Sequence, residues 1–280
     1  YSSHHLSHCL YGISVIKNLS DYVYVTCDGV GEGETMSIYT IDNKYIIKKI
    51  WTNFYPNSIG LLYSAITDYL GFEINEGEFK VMSLSSFGKP IYENDLKKIF
   101  DVDNFKLDID YFEFHKNPAK SFSKKLLEIF GDPYLNLNDE KNFSKYADIA
   151  RSAQLILEDT MKNLIQKALE LTGKKKVVLT GGVALNCKMI HSLSKKNKFD
   201  EMIIPPSPGD SGSAIGAANF AFLEKTKNKT LDFNSIFLGP KKDFINKNEI
   251  RENFFVKINN TDNFINDTAN KLIEGEIIAS

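Results

Sequence analysis

Hydrophobic residues change their spacing several times along the chain, and each change marks an element. Leu6, Leu10, Ile13 and Ile16 recur at helical intervals behind Ser2 and Ser3, which predicts an opening helix over about 3–16 with a serine N-cap. From Tyr22 to Cys27 the pattern alternates and is β-rich. Asp28 to Thr35 reads as a glycine-rich turn, and Met36–Ile41 and Tyr45–Trp51 read as two further strands around Asp42-Asn43, together a β-meander. Ser58–Leu70 is helical and stops at Gly71, and a less regular stretch of short elements fills about 75–140. The strongest signal is a helix over about 143–172, whose stripe of Tyr146, Ile149, Ala150, Ala153, Ile156, Leu157, Met161, Leu164, Ile165 and Ala168 is broad enough to pack on a sheet.

After Gly173 comes a strand (Lys176–Thr180), Gly181-Gly182, a helix (Ala184–Ser194), a strand (Met202–Ile204), the turn Pro205–Gly209, and an Ala/Gly-rich helix to about Leu223. Strand, helix, strand, helix in that order implies a parallel α/β arrangement. Residues 224–258 read as a linker rich in Lys, Asn and Asp, and 262–278 as the start of another helix and strand.

Composition narrows the classes. With 280 residues, 42% hydrophobic and 25% charged, the chain can bury a full core. A net charge of -2, with lysines interleaved among acids, gives no footprint for nucleic acid. No apolar run approaches the roughly 20 residues needed to cross a bilayer. Cys9, Cys27 and Cys187 are far apart and in no metal-ligand spacing, which suits small buried hydrophobes in a reducing cytoplasm.

Four places carry candidate chemistry. His4 and His8 stand four apart, so a helix puts both imidazoles on one face, able to hold one cation; a solvated helix end is the plainer alternative. Asp28 ends a strand and opens Gly29-Val30-Gly31-Glu32-Gly33, where backbone N–H groups can approach an anion, or where the chain merely turns. Gly181-Gly182-Val183-Ala184-Leu185-Asn186 follows a buried strand and opens a helix, which is where open α/β sheets bind nucleotides. Pro208-Gly209-Asp210-Ser211-Gly212 places Asp210 at a helix start, where an N-cap is the bland role. That last run is similar to the nucleophile loop of trypsin-like proteases, but such proteases are all-β and disulfide-bonded, and here the serine leads into a helix. No P-loop pattern occurs.

Together these stretches resemble the carbamoyltransferase family of the nodulation-factor and aminoglycoside-antibiotic O-carbamoyltransferases. His4-His5-Leu6-Ser7-His8, Asp28-Gly29-Val30-Gly31-Glu32, Lys80-Val81-Met82-Ser83-Leu84 with Phe87-Gly88, Gly181–Asn186 and Pro208–Gly212 occur in the family's order and approximate spacing. Ser83 and Cys9 stand where the family often has Gly and Ala. The resemblance covers about 1–223 well, and weakly the segment from about 262.

It implies an actin/Hsp70/sugar-kinase-like, ribonuclease-H-like α/β lobe pair over 1–223, related to the tRNA threonylcarbamoyl-adenosine protein and truncated at its N-terminus. The helix at 1–16 and the one after Asp210 would belong to the first lobe, and 259–280 would begin a second, carbamoyl-phosphate-binding domain. The family's opening strands, with their Gly-Ile-Ser and His-Asp motif, are missing from the chain, and so is its later Arg-x-x-Glu-Phe-Gly-Pro-Arg-Ala-Leu-Gly motif. The resemblance further implies a divalent metal on His4, His8, Asp28 and Asp210, with Fe2+ first and Mn2+ or Zn2+ as alternatives. It implies ATP against Gly29, Gly31, Gly181, Gly182 and Asn186, and transfer from carbamoyl phosphate through a carbamoyl-adenylate to the hydroxyl of a sugar or other small acceptor. A homodimer is compatible with it. An ATPase or small-molecule kinase of the same fold, and a non-catalytic nucleotide-binding module, stay open as alternatives.

Overall fold

The computed structural model describes residues 2–117, 120–196, 199–226 and 261–275. Its centre is a five-stranded sheet of order β3-β2-β1-β6-β7. Strands β1 (Tyr22–Gly31), β2 (Glu34–Ile41) and β3 (Ile47–Phe54) form the expected antiparallel meander. β6 (Lys176–Thr180) then runs parallel to β1, and β7 (Glu201–Ile203) parallel to β6. An antiparallel meander whose first strand is extended by parallel strands is the ribonuclease-H-like order. A two-stranded ribbon, β4 (Phe100–Asp101) with β5 (Lys106–Leu107), lies in the irregular stretch.

Alternation along β1 serves two cores. Val23, Val25 and Cys27 face a large core shared with Ile59, Leu62 and Ile66 of α2 (Ile59–Tyr69) and with Ile149, Ala153 and Ile156 of α6 (Glu140–Thr172). Tyr22 and Tyr24 face a smaller core with Cys9, Leu10 and Ile13 from the first helix and turn. α6 starts on Asp139, whose carboxylate accepts from Lys141 N and Asn142 N, and ends on Gly173 in the left-handed region (φ 66°). Short helices α3 (Glu78–Leu84), α4 (Glu93–Ile99) and α5 (Lys124–Phe130) fill the irregular stretch and bury Val81, Leu96, Ile99, Leu126 and Phe130 in the large core.

The second face is covered by α1 (His4–Gly12) and α8 (Asp210–Thr226), which pack against each other. Both helices, which the family resemblance assigns to a first lobe, lie on the same sheet as the meander. Their closeness has a cause in sequence: a Cβ on Gly212 would overlap Ser207 O and the Tyr11 ring, and one on Gly216 would overlap Ser7 O. Gly212 seats the Tyr11 ring, and Gly216, one turn later, lets α8 touch the α1 backbone. Asn219, one turn on, donates to Leu10 O (2.9 Å) and to Ser14 Oγ (2.7 Å).

Several boundaries differ from expectation. α1 stops at Gly12 and tightens into a 3-10 turn over Ile13–Val15. Ser3 sits at the N-cap without a capping hydrogen bond. β1 continues through Gly31 with an irregularity after Cys27, so the turn shrinks to Glu32-Gly33. Gly182–Leu185 is a 3-10 turn, and the regular helix α7 begins at Cys187 and runs to Lys196. Cys9 and Cys27 are buried, but Cys187 is exposed, contrary to the reading of all three as core hydrophobes. Most of the expected linker 224–258 and the expected strand after 275 lie outside the described residues. The segment from 261 is described as one helix, α9 (Thr261–Ile273), in a separate compact unit. Among the described residues no helix is long and apolar enough to cross a membrane.

Candidate metal and nucleotide site

Three distant segments meet at the carboxyl ends of β1 and β6. His4 and His8 come one turn apart from α1, Asp28 from the bent end of β1, and Asp210 from the first residue of α8. His4 Nε2 lies 3.1 Å from Asp28 Oδ2, 3.1 Å from His8 Nε2 and 3.4 Å from Asp210 Oδ1. His8 Nε2 lies 3.1 Å from Asp28 Oδ2 and 3.2 Å from Asp210 Oδ1. All four donor atoms fall within 4.8 Å of one another.

Hydrogen-bond direction says what this cluster needs. His8 Nδ1 is 3.1 Å from Pro208 O, which can only accept, so Nδ1 carries the proton and Nε2 turns a lone pair inward. That lone pair faces two carboxylate oxygens and a second imidazole nitrogen. A proton satisfies one such pair; a metal ion satisfies all four. With N and O ligands at about 2.0–2.2 Å, neighbouring donors stand roughly 2.8–3.6 Å apart between octahedral and tetrahedral geometry, a range that includes the five short separations.

Electrostatics follow the same geometry. The Asp28 hydrogen bond raises the His4 pKa above its ordinary value although burial opposes it. Burial alone would raise the Asp28 carboxyl, but the His4 hydrogen bond, the adjoining His8 ring and the Gly29 N–H (2.8 Å) outweigh it and hold the group well below the carboxylate range. His8 is fully buried and the Asp28 side chain 15% exposed, whereas the Asp210 side chain is 76% exposed, so the cluster is closed beneath and open at Asp210.

The candidate glycines divide by what they touch. A Cβ on Gly31 would overlap the His4 ring, so this glycine seats an imidazole. Gly181 has φ 95° and lies against the Cys27 carbonyl, and its N–H donates to Pro208 O (2.8 Å), the same oxygen that takes His8 Nδ1–H. A Cβ on Gly182 would stand 2.9 Å from Asp28 Oδ1, so the space it leaves borders the carboxylate before any ligand. Gly29 is less constrained, with only Leu61 Cδ2 within reach at 3.9 Å. Asn186 sits at the other end of this loop, capping α7 through Met189 N (2.9 Å). His5 is not part of the cluster: it is buried under α1 on Ser37 Oγ (2.8 Å), and burial lowers its pKa to about 4.

Comparison with known proteins fits this geometry. Residues 1–219 match the family model described as Carbamoyltransferase N-terminus. The chain belongs to this carbamoyltransferase family. Similar proteins include the uncharacterized protein sll1178 of Synechocystis sp., 33% identical over 82% of this chain and 38% of that protein. Nodulation protein NolNO of Sinorhizobium fredii is 27% identical over 78% of this chain and 30% of that one. This chain thus spans less than half the length of these relatives. Among solved structures, the activator of the 2-hydroxyisocaproyl-CoA dehydratase from Clostridium difficile with bound ADPNP aligns with a TM-score of 0.45 at 16% identity, covering 79% of this chain and 66% of that one. HypF of T. kodakarensis aligns with a TM-score of 0.38 at 17% identity, covering 82% and 38%. The fold rests on the strand order above, not on these alignments.

Sequence reasoning missed the groups that hold the ligands in place. The Pro208 carbonyl is backbone and leaves no signal. Gly212 and Gly216 were visible as an i, i+4 pair of small residues, and Gln154 as a polar residue inside the stripe of α6.

Proposed function

We propose that this chain is the nucleotide- and metal-binding part of an ATP-dependent carbamoyltransferase that delivers a carbamoyl group from carbamoyl phosphate, through carbamoyl-adenylate, to an acceptor hydroxyl on a sugar or other small molecule. The observation that carries this reading is the inward-facing set of His4, His8, Asp28 and Asp210, built beside Gly181-Gly182 in a chain of the carbamoyltransferase family. Two imidazoles with two carboxylates suit Fe2+, Mn2+ or Zn2+ better than Mg2+, which prefers an all-oxygen shell and keeps its waters. Such a cation, when bound, supplies neutralisation of phosphate charge.

The chain's own residues do the rest. His8, held by Pro208 O, and Asp28, held by Gly29 N–H, are fixed before any ligand arrives, so little reorganisation is needed on binding. The exposed side at Asp210 leaves room for phosphate oxygens. The Gly181–Asn186 loop, with no side chain at its first two positions, lets a nucleoside approach the backbone. In the transfer step the acceptor oxygen bonds to the carbamoyl carbon, the bond to the adenylate phosphate oxygen breaks, and AMP leaves as the hydroxyl proton is lost.

The test is incubation of the full-length gene product with ATP, carbamoyl phosphate and a panel of hydroxyl-bearing acceptors, read by mass spectrometry for a gain of one carbamoyl group; the 280 residues alone are expected to form no carbamoyl-adenylate. A phosphorylated acceptor, or ADP released without any acceptor, would instead mark a kinase or ATPase. Metal binding is tested separately by melting. At a hundredfold excess over Kd, binding adds about 2.7 kcal/mol, which for a domain this large is roughly 5–10 °C. That chelator-sensitive increment is expected to disappear in His8→Ala.

A further inference from the structure

Four polar residues are buried on α6: Ser152 and Thr160 return their hydroxyls to the helix's own Asp148 and Ile156 carbonyls, which leaves Gln154, fully buried, and Glu158, nearly so. Gln154 would be costly there unless every polar atom were matched, and the matching fixes its orientation. Its Nε2 is 3.2 Å from Glu158 Oε1, and a carboxylate can only accept, so the nitrogen must face that way. The same Nε2 donates to Asn186 Oδ1 at 3.0 Å. Gln154 Oε1 then accepts from the Tyr63 hydroxyl and from Asn186 Nδ2, both at 2.9 Å. Burial pushes the Tyr63 phenol above its ordinary range, so it keeps its proton and remains a donor. Glu158 is held in turn by Arg151 Nη1 at 3.4 Å.

This chain of bonds dictates what Asn186 can show to a ligand. Its Oδ1 already accepts twice, from Gln154 Nε2 and from Met189 N. One Nδ2–H is spent on Gln154 Oε1, and the other is left for a ligand or, without one, for the nearby Tyr63 hydroxyl. Asn186 is partly exposed at the mouth of the Gly181-Gly182 loop. It can therefore donate to a bound molecule but not accept from it.

We propose that Gln154 is a positioning residue for nucleotide recognition: locked by Tyr63 and Glu158, it holds the Asn186 amide so that this site reads one hydrogen-bond acceptor of the bound nucleoside. The proposal rests on the nucleotide reading given above and specifies its polarity. Tyr63, on α2, and Glu158, on α6, act through Gln154 and need not touch the ligand.

The test titrates the full chain, loaded with Mn2+, with ATP and with analogues lacking one acceptor at a time: 1-, 3- and 7-deaza-ATP, 2′-deoxy-ATP and 3′-deoxy-ATP. One analogue is expected to bind wild type roughly tenfold more weakly than ATP, the loss of a single well-oriented hydrogen bond. In Asn186→Asp, which keeps the oxygen that caps α7, and in Gln154→Glu, which keeps the shape but reverses one donor, ATP and that analogue should bind alike. A Gln154→Glu protein that melts like wild type and still discriminates overturns the proposal, as does equal binding of every analogue to wild type. If Gln154→Glu does not fold, Tyr63→Phe carries the test: narrowed discrimination supports the proposal, and unchanged discrimination overturns it. Wild type that binds no ATP at all overturns the nucleotide reading itself, and with it this inference.

Discussion

The contact between α1 and α8 sets the distance between His8 and Asp210, so Gly216→Ala tests the site from outside it. The added Cβ would overlap Ser7 O and stand 2.6 Å from Ser7 C and 2.9 Å from Tyr11 N, where ordinary contact begins at 3.4 Å. These are backbone atoms and cannot rotate aside. Relief requires the helices to part by roughly 1.5 Å, in a packed interior that resists such shifts. Alanine gains about 1 kcal/mol over glycine in a helix, and overpacking against backbone falls in the upper part of the usual range, about 2–3 kcal/mol, so a net loss of roughly 1–2 kcal/mol is expected.

Two readouts separate the consequences. Melting in the presence of a chelator reports the packing cost, expected at roughly 2–8 °C for a unit of this size. Metal affinity, measured by anaerobic Fe2+ titration, reports the site. Ser7 precedes His8, so a shift of this size carries His8 Nε2 away from Asp210 Oδ1, now 3.2 Å distant, and affinity should fall at least about tenfold, as when an outer support of a ligand is lost. Ala217→Gly on the exposed side of α8 is the control, costing helix propensity without touching α1. A Gly216→Ala protein with wild-type melting and wild-type affinity would refute the claim that glycine is required for this packing.

Other substitutions divide site from scaffold. Gly31→Ala should displace the His4 ring and weaken metal binding by about tenfold or more while lowering the apo melting temperature little, read by the same titration. Asp28→Asn should lose more affinity than Asp210→Asn, because the Asp28 side chain is 15% exposed and that of Asp210 76%; the reverse order would contradict the view of Asp28 as the buried anchor. Tyr69→Phe removes a hydroxyl that lies 2.9–3.2 Å from the carbonyls of Phe130, Gly131 and Asp132, and should cost about 1–3 kcal/mol in denaturant unfolding with metal affinity unchanged.

How far the fold could be read from sequence depended on whether the cause of an element was local. The meander and α6 were legible because each buried face writes its own period, as in Val23, Val25 and Cys27 against Tyr22 and Tyr24. The ends were not, because tertiary contacts set them: the run from Asp28 to Thr35 holds enough glycine for a long turn, yet Gly31 pairs with Glu34 and leaves only two residues to turn. The four candidate ligands were legible as residue types in order, and the structure brings all four together. What fixes them was not legible, since Pro208 O acts as backbone and Gly216 matters only for what lies across from it.

That division bears on how the site works. Each ligand lies on an element whose apolar core is complete without it: α1 through Cys9 and Leu10, β1 through Val23 and Val25. The ligands themselves add little to those cores, and the proton that His4 gives to Asp28 leaves His8 Nε2 and the Asp210 carboxylate facing other acceptors, a residual repulsion that packing elsewhere must oppose. The α1–α8 backbone contact and the shared Pro208 carbonyl are where that opposition is concentrated. A cation relieves the repulsion, so its binding should stabilise most strongly a protein in which both contacts are intact. If the Gly216→Ala protein gains as much in melting temperature from saturating Fe2+ as wild type does, the two helices are not what holds these four groups together.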